Sequence, residues 1–263
     1  MFFFIPKNAS KVICFIHNKK TGGTSIHDTF KYSKLGNLYP NRDKQIVSQE
    51  DEATFKKILP TFNSCFDYVR PRYDPKNMPG AHINFEQSVL YLLRCGVPPE
   101  TIKDKVVFCT IVRNPFDRLE SWWHHLKRDS ALGNTEYIHE INSRFIDLCY
   151  DNFDKIVEWK RVVNSLKCQH DYYKDCKISY KNKIIDFKFK KENILRNESL
   201  QNDFDEFMVR NFNLKLEPLR LVNARKGFDF KNSKNEKRFK ISFDQVRGDI
   251  RRFENKVIQD FYY

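Results

Sequence analysis

Two runs of uninterrupted apolar residues stand out from a largely polar chain: Val12-Ile13-Cys14-Phe15-Ile16 and Val106-Val107-Phe108-Cys109-Thr110-Ile111-Val112, the latter broken only by a threonine. Runs of this length, rich in β-branched and aromatic types, predict strands buried on both faces, as in a parallel sheet. Each is followed by the start of a helix. After the first, Ile26 and Phe30 lie i, i+4 on one face. After the second, Asn114 is a good N-cap and Pro115 suits the first helical position. Leu119, Trp122 or Trp123, and Leu126 then form an apolar stripe. The same patterning predicts helices over roughly Asp51–Leu59, Phe85–Arg94, Tyr137–Leu166, Asp203–Phe212 and Phe243–Phe261, and further strands at Cys65–Val69 and Ile184–Phe189.

What joins each strand to its helix carries the chemistry. The first junction reads Lys19-Lys20-Thr21-Gly22-Gly23-Thr24-Ser25. Gly22 and Gly23 have no Cβ, so the backbone bends sharply and comes close to a ligand. Thr24 and Ser25 open the helix, whose first turn offers N–H groups and partial positive charge to an anion. Lys20 adds a full charge. In the usual nucleoside-triphosphate loop the lysine follows the glycines; here it precedes them, which argues against an ATPase or ordinary kinase. The plain alternative is a glycine turn between strand and helix.

The second junction begins with Arg113, at the strand terminus where open α/β sheets bind ligands. Its planar fork of donors suits a phosphate, and the Ser121 hydroxyl adds another hydrogen bond. Arg118 reads equally as a surface charge paired with Asp117 or Glu120. Two anion sites on neighbouring strand ends suit a ligand carrying two separate phosphate groups.

These residues together resemble the sulfotransferases that use 3′-phosphoadenosine 5′-phosphosulfate (PAPS), closest to the Golgi-type carbohydrate branch and its bacterial and viral relatives. Lys20 to Ser25, preceded by Phe15-Ile16-His17, looks like the family's 5′-phosphosulfate loop, and Ile111 to Trp122 like its 3′-phosphate motif. Gly80-Ala81-His82, Glu192-Asn193-Ile194-Leu195 with Asp203-Phe204, and Gln259 to Tyr263 resemble later family segments. The chain departs at Lys19, where the family usually has proline, and at Asn223-Ala224-Arg225-Lys226-Gly227, where it often reads asparagine, x, serine. Arg225-Lys226-Gly227 is similar to a triplet that grips the 3′-phosphate in cytosolic sulfotransferases; the alternative is a solvated basic turn.

The resemblance implies an α/β, three-layer fold with a central parallel sheet, P-loop NTPase-like. It implies one domain over residues 1–263, with a nucleotide-binding core in 1–130 and a helical and stranded elaboration in 131–263. It implies transfer of a sulfuryl group from PAPS to an acceptor hydroxyl, on a carbohydrate glycan, without a metal. Lys20, Thr21, Gly22, Gly23, Thr24, Ser25, Arg113, Ser121, Arg225, Lys226 and Gly227 would hold the donor. Lys20 would also stabilise the departing oxygen. His82 is the favoured base, because it falls where related enzymes carry a histidine and imidazole exchanges protons near neutrality. Glu86 is the alternative, and His17 would rather contact ligand or cap the strand.

Composition narrows the partners. A formal charge of +13 over 263 residues implies anionic partners: a doubly phosphorylated nucleotide, an acidic glycan or nucleic acid. A basic nucleic-acid-binding module would explain the lysine-rich late segments but not two strand-end anion sites, so nucleic acid is disfavoured. A metabolite kinase is the other rival. The seven cysteines show no C-x-x-C pair, which disfavours a zinc site or disulfide framework. Met1 to Pro6 is apolar but too short for a signal or membrane span. The expectation is a soluble, cytoplasmic protein without a membrane anchor, its oligomeric state unspecified.

Overall fold

The computed structural model describes residues 1–39, 49–63, 82–119, 121–122, 168–215, 217–220, 248 and 250–262. It divides into two compact units, one of residues 1–112 with 171–222, the other of residues 113–170 with 223–263.

The first unit is mixed α/β. Its five-stranded sheet has the order β3-β1-β2-β4-β7, with β1 Phe2–Pro6, β2 Val12–Ile16, β3 Gly36–Tyr39, β4 Val106–Val112 and β7 Ile194–Arg196. The two predicted strands, β2 and β4, are parallel neighbours, with Ile16 opposite Thr110, and β4 is also parallel to β7. The sheet is not parallel throughout: β1 runs antiparallel to both β2 and β3. Only residues 7–11 join β1 to β2, with Asn8 in the left-handed region at φ 61°. So short a link cannot make the crossover that parallel neighbours need. Phe2 to Pro6 thus supplies a strand, five residues being ample for one.

Helices cover both faces, as the unbroken burial of β1, β2 and β4 requires. On one face Phe30 of α1 (Gly23–Tyr32) stacks on Phe4 with ring centres 4.0 Å apart. Phe204 of α5 (Leu200–Phe212) meets Phe30 at 5.5 Å. On the other face Phe3 meets Phe55 of α2 (Gln49–Ile58), and Phe85 of α3 (Phe85–Arg94) sits edge-on to Phe108 at 4.8 Å. A short helix, α4 (Pro99–Lys105), leads into β4 with proline at its first position.

The strand predicted near Ile184 is β6 (Lys183–Phe187), which pairs antiparallel with β5 (Cys176–Tyr180) in a separate two-stranded sheet. Lys181 and Asn182 both take positive φ between them, as a tight two-residue hairpin turn requires.

In the second unit, residues 115–119 are helical, Asn114 accepts from the Phe116 N–H at 3.0 Å as the predicted N-cap, and Leu119 and Trp122 are buried. Residues 250–253 are helical and lead to α6 (Asn255–Phe261). The strand predicted at Cys65–Val69, the helix at Tyr137–Leu166 and the triplet Arg225-Lys226-Gly227 lie outside the described residues. Among the described residues, no helix is long and apolar enough to cross a membrane.

Candidate functional site

The loop His17–Gly22 is shaped by where its carbonyl groups go. Thr110 Oγ1 donates to the Ile16 oxygen at 2.8 Å, and the Nδ1 of His82 lies 2.9 Å from the His17 oxygen. Thr21 Oγ1 donates to the Asn18 oxygen at 3.0 Å, and Asn197 Nδ2 to the Thr21 oxygen at 2.9 Å. Asn18 in turn donates its side-chain amide to the Ile111 oxygen of β4 at 3.3 Å. Four carbonyls of one short stretch are thus held by hydroxyl, imidazole and amide groups. In a trans peptide the C=O and the next N–H point opposite ways. Pinning the Asn18 and Thr21 oxygens therefore turns the Lys19 and Gly22 N–H groups to the other side of the loop.

Backbone conformation adds to this. Lys20 at φ 63° and Gly22 at φ 98° are both left-handed, flanking Thr21. Left-handed residues alternating with ordinary ones curl the backbone into the concave N–H arrays that hold anions. α1 then begins at Gly23, where the Ser25 N–H of the first turn donates to the Gly22 oxygen at 3.0 Å. Gly22 is required twice over. Its φ disfavours any side chain, and a Cβ there would come 2.6 Å from Asn197 Nδ2. Thr24 is exposed, Ser25 is buried, and the Thr21 hydroxyl is committed inside the loop.

His82 reaches this loop from the segment just before α3. Asn84 caps that helix with a reciprocal Gln87 capping box, at 2.8 and 3.0 Å, which fixes how the chain enters it. A carbonyl oxygen only accepts, so the contact with His17 puts the proton of a neutral His82 on Nδ1. Its Nε2 then carries the lone pair, the form a general base needs. The His17 and His82 rings lie 4.7 Å apart, centre to centre.

Glu86, the other base considered, stands in the first turn of α3 on the side of β5. Burial pushes the Cys176 thiol of β5 up to about 11, and the Glu86 and Asp175 carboxylates push it the same way. Structure therefore associates His82 with the loop and Glu86 with the β5 thiol.

In the second unit Arg113 directly follows β4, and Gln169 clamps its backbone. The Arg113 N–H donates to Gln169 Oε1 at 2.8 Å, and Gln169 Nε2 donates to the Arg113 oxygen at 2.9 Å. Arg118 is not a surface charge. It is 1 % exposed and donates to Glu254 Oε1 at 2.7 Å. Burial holds the Glu254 carboxyl above its ordinary value, although the Arg118 charge and the donors around it pull the other way. Ser121 is half-buried.

Thr110, Asn197, Gln169 and Glu254 were not among the residues singled out from sequence. Thr110 alone left a trace, as the single hydroxyl in the apolar run of β4. Comparison with protein-family models, with curated proteins and with solved structures finds no match to this chain.

Proposed function

We propose that this protein is a sulfotransferase of the P-loop-like α/β type, moving a sulfuryl group from PAPS to an acceptor hydroxyl, with carbohydrate the favoured acceptor class. The observation that carries this reading is the β2–α1 loop. Its lysine stands before the glycines, its carbonyls are pinned by side chains, and its two left-handed residues curl it for an anion. Parallel adjacency of β2 and β4 supports it further, since both candidate motifs begin at the carboxyl ends of neighbouring strands.

In this reading the loop N–H groups and the α1 N-terminus bind the phosphosulfate, while Arg113 and Ser121 bind the 3′-phosphate. His82 Nε2 takes the acceptor proton as the acceptor oxygen attacks sulfur in line. An oxygen–sulfur bond forms, the bond from sulfur to the phosphate oxygen breaks, and Lys20 stabilises the negative charge left on that oxygen. Preorganised charge of this kind contributes about 10²–10³-fold in rate.

The test pairs binding with transfer. The desulfated nucleotide PAP should raise the melting temperature while ATP does not, and label from PAPS should pass to members of a glycan panel. Lys20→Ala should mainly lower turnover and Arg113→Ala mainly weaken nucleotide affinity. Stabilisation by ATP with magnesium but not by PAP would favour a kinase. Salt-sensitive DNA binding without a PAP effect would favour a nucleic-acid module.

A further inference from the structure

Gln169 makes an unusual pair of contacts. Its side-chain amide takes both the N–H and the C=O of Arg113, at 2.8 and 2.9 Å, as a neighbouring strand would. It is 0 % exposed, so both hydrogen bonds are shielded from competing water. Gln169 is itself held, because its backbone N–H donates to Glu254 Oε2 at 3.0 Å. The other oxygen of that carboxylate accepts from Arg118, and Cys168 Sγ lies 3.5 Å from Oε2. Arg118 also donates its backbone N–H to the Asn114 oxygen at 2.9 Å, on the first turn of the helix after Arg113. The chain of contacts leaves Arg113 through Gln169 and Glu254 and returns to its own helix through Arg118.

Such a closed circuit of buried polar groups is poorly explained by stability alone. Burying an arginine, a carboxylate and an amide forfeits their hydration, and an apolar cluster would hold the same segments at least as well. What the circuit does is fix the two peptide groups of one residue. Arg113 is the first residue beyond β4, where regular strand pairing ends at Val112. Beyond that ladder Gln169 takes both polar groups of the Arg113 backbone, and so sets the direction in which its side chain leaves.

We infer that Gln169 is a positioning residue for anion binding by Arg113, locking the arginine's backbone so that its guanidinium meets the ligand phosphate without first being ordered. Glu254 is the second member of the device, holding Gln169 in place. This rests on the reading of Arg113 as a phosphate ligand. An arginine that must be ordered on binding spends part of its interaction on that ordering, so the clamp acts on affinity rather than on the reacting atoms.

The experiment uses the full chain and PAP as the probe. Gln169→Met keeps the volume and removes both hydrogen bonds. Gln169→Glu keeps the acceptor for the Arg113 N–H and loses the donor. We expect Gln169→Met to weaken PAP binding about tenfold and Gln169→Glu to fall between it and wild type. The loss should appear in KM for PAPS, with kcat within about threefold. In an Arg113→Ala background, Gln169→Met should add no further loss, because the residue it positions is gone. Equal losses in both backgrounds, or a fall in kcat tracking a lowered melting temperature with unchanged KM, would overturn the inference and leave Gln169 a structural residue. If Gln169→Met does not fold, Gln169→Glu carries the same two comparisons. Failure of the wild-type chain to bind PAP overturns the underlying reading and the inference with it, and is told apart by the wild-type arm alone.

Discussion

The imidazole of His17 packs against Gly23, so closely that a Cβ on that glycine would come 2.2 Å from the ring's Cδ2. His17 is buried and its carbonyl is held by His82, so the ring has little room to withdraw. Gly23 therefore matters through close approach, unlike Gly22, which matters through its left-handed φ as well. Gly23→Ala should displace His17 and with it the His82 contact, costing about 1–3 kcal/mol of stability by overpacking. Nucleotide binding should fall at least tenfold in the same variant. Thermal unfolding with and without PAP checks both, and wild-type behaviour would show that His17 yields freely.

Asn197 gives the second prediction. Its amide donates to the Thr21 oxygen from the turn after β7. Asn197→Leu keeps the bulk beside Gly22 but leaves a part-buried carbonyl without its donor, a loss of about 1–3 kcal/mol. Because that carbonyl sets the direction of the Gly22 N–H, donor affinity should drop with stability. Calorimetric PAP titration decides the matter. An unchanged affinity in a destabilised protein would mean the loop keeps its shape without the clamp.

How much of this could be read beforehand differs by residue. The two buried strands and the helix starts were legible because apolar runs and N-cap chemistry act locally, over a few residues. The glycines announced a bend, and Lys20 its charge. The partners that shape the loop left no such trace. Asn197 acts across 176 positions of sequence and Thr110 across 94, and a lone asparagine or threonine looks the same whether it caps, pairs or faces water. Arg118 could not be told from a surface charge because Glu254, its partner, is 136 positions away. The antiparallel β1 was not legible because a short unbroken apolar run carries no periodicity that separates a strand from a buried helical segment.

Proton transfer separates His82 from Glu86. If His82 Nε2 is the base, His82→Ala should lower turnover by about 10²–10⁴-fold while PAP still binds. Glu86→Gln should leave turnover within a fewfold of wild type and lower the Cys176 thiol from its raised value, which thiol-reactive probes titrated against pH would read. The reverse pattern, with turnover lost in Glu86→Gln and kept in His82→Ala, would assign the base to the carboxylate.

The Arg118–Glu254 pair predicts an asymmetric mutational response. Both side chains are almost wholly buried. Glu254→Gln removes the carboxylate charge that the buried guanidinium faces at 2.7 Å, at a cost of about 3–5 kcal/mol. Replacing both by methionine should recover only part of that loss. Glu254 Oε2 also accepts the Gln169 N–H, so the double variant still strands one buried donor. Chemical denaturation of the single and double variants measures the coupling. Full recovery in the double variant would show that the Gln169 N–H finds another acceptor.

Acid should act on the loop through Asp203. Its carboxylate accepts the Arg196 N–H at 2.8 Å, the Arg196 guanidinium at 3.1 Å twice, and the Ser199 hydroxyl at 2.8 Å. Burial alone would raise this carboxyl. The hydrogen bonds from the Arg196 side chain and backbone and from Ser199, with the Arg196 charge, outweigh it and hold the group below its ordinary value. A folded-state value below the unfolded one means that the stabilisation is complete above the ordinary carboxylate value of about 4 and drains away as pH falls through the folded-state value. Asp203→Asn should therefore cost about 1 kcal/mol at pH 6, the half-exposed Arg196 being screened by water, and clearly less at pH 3. Asn197 sits in the turn that this carboxylate organises, so PAP affinity should follow the same direction. Denaturant midpoints and PAP titrations at the two pH values test this. An equal loss at both would mean that Asp203 works as a neutral acceptor, and that its charge contributes nothing to the turn.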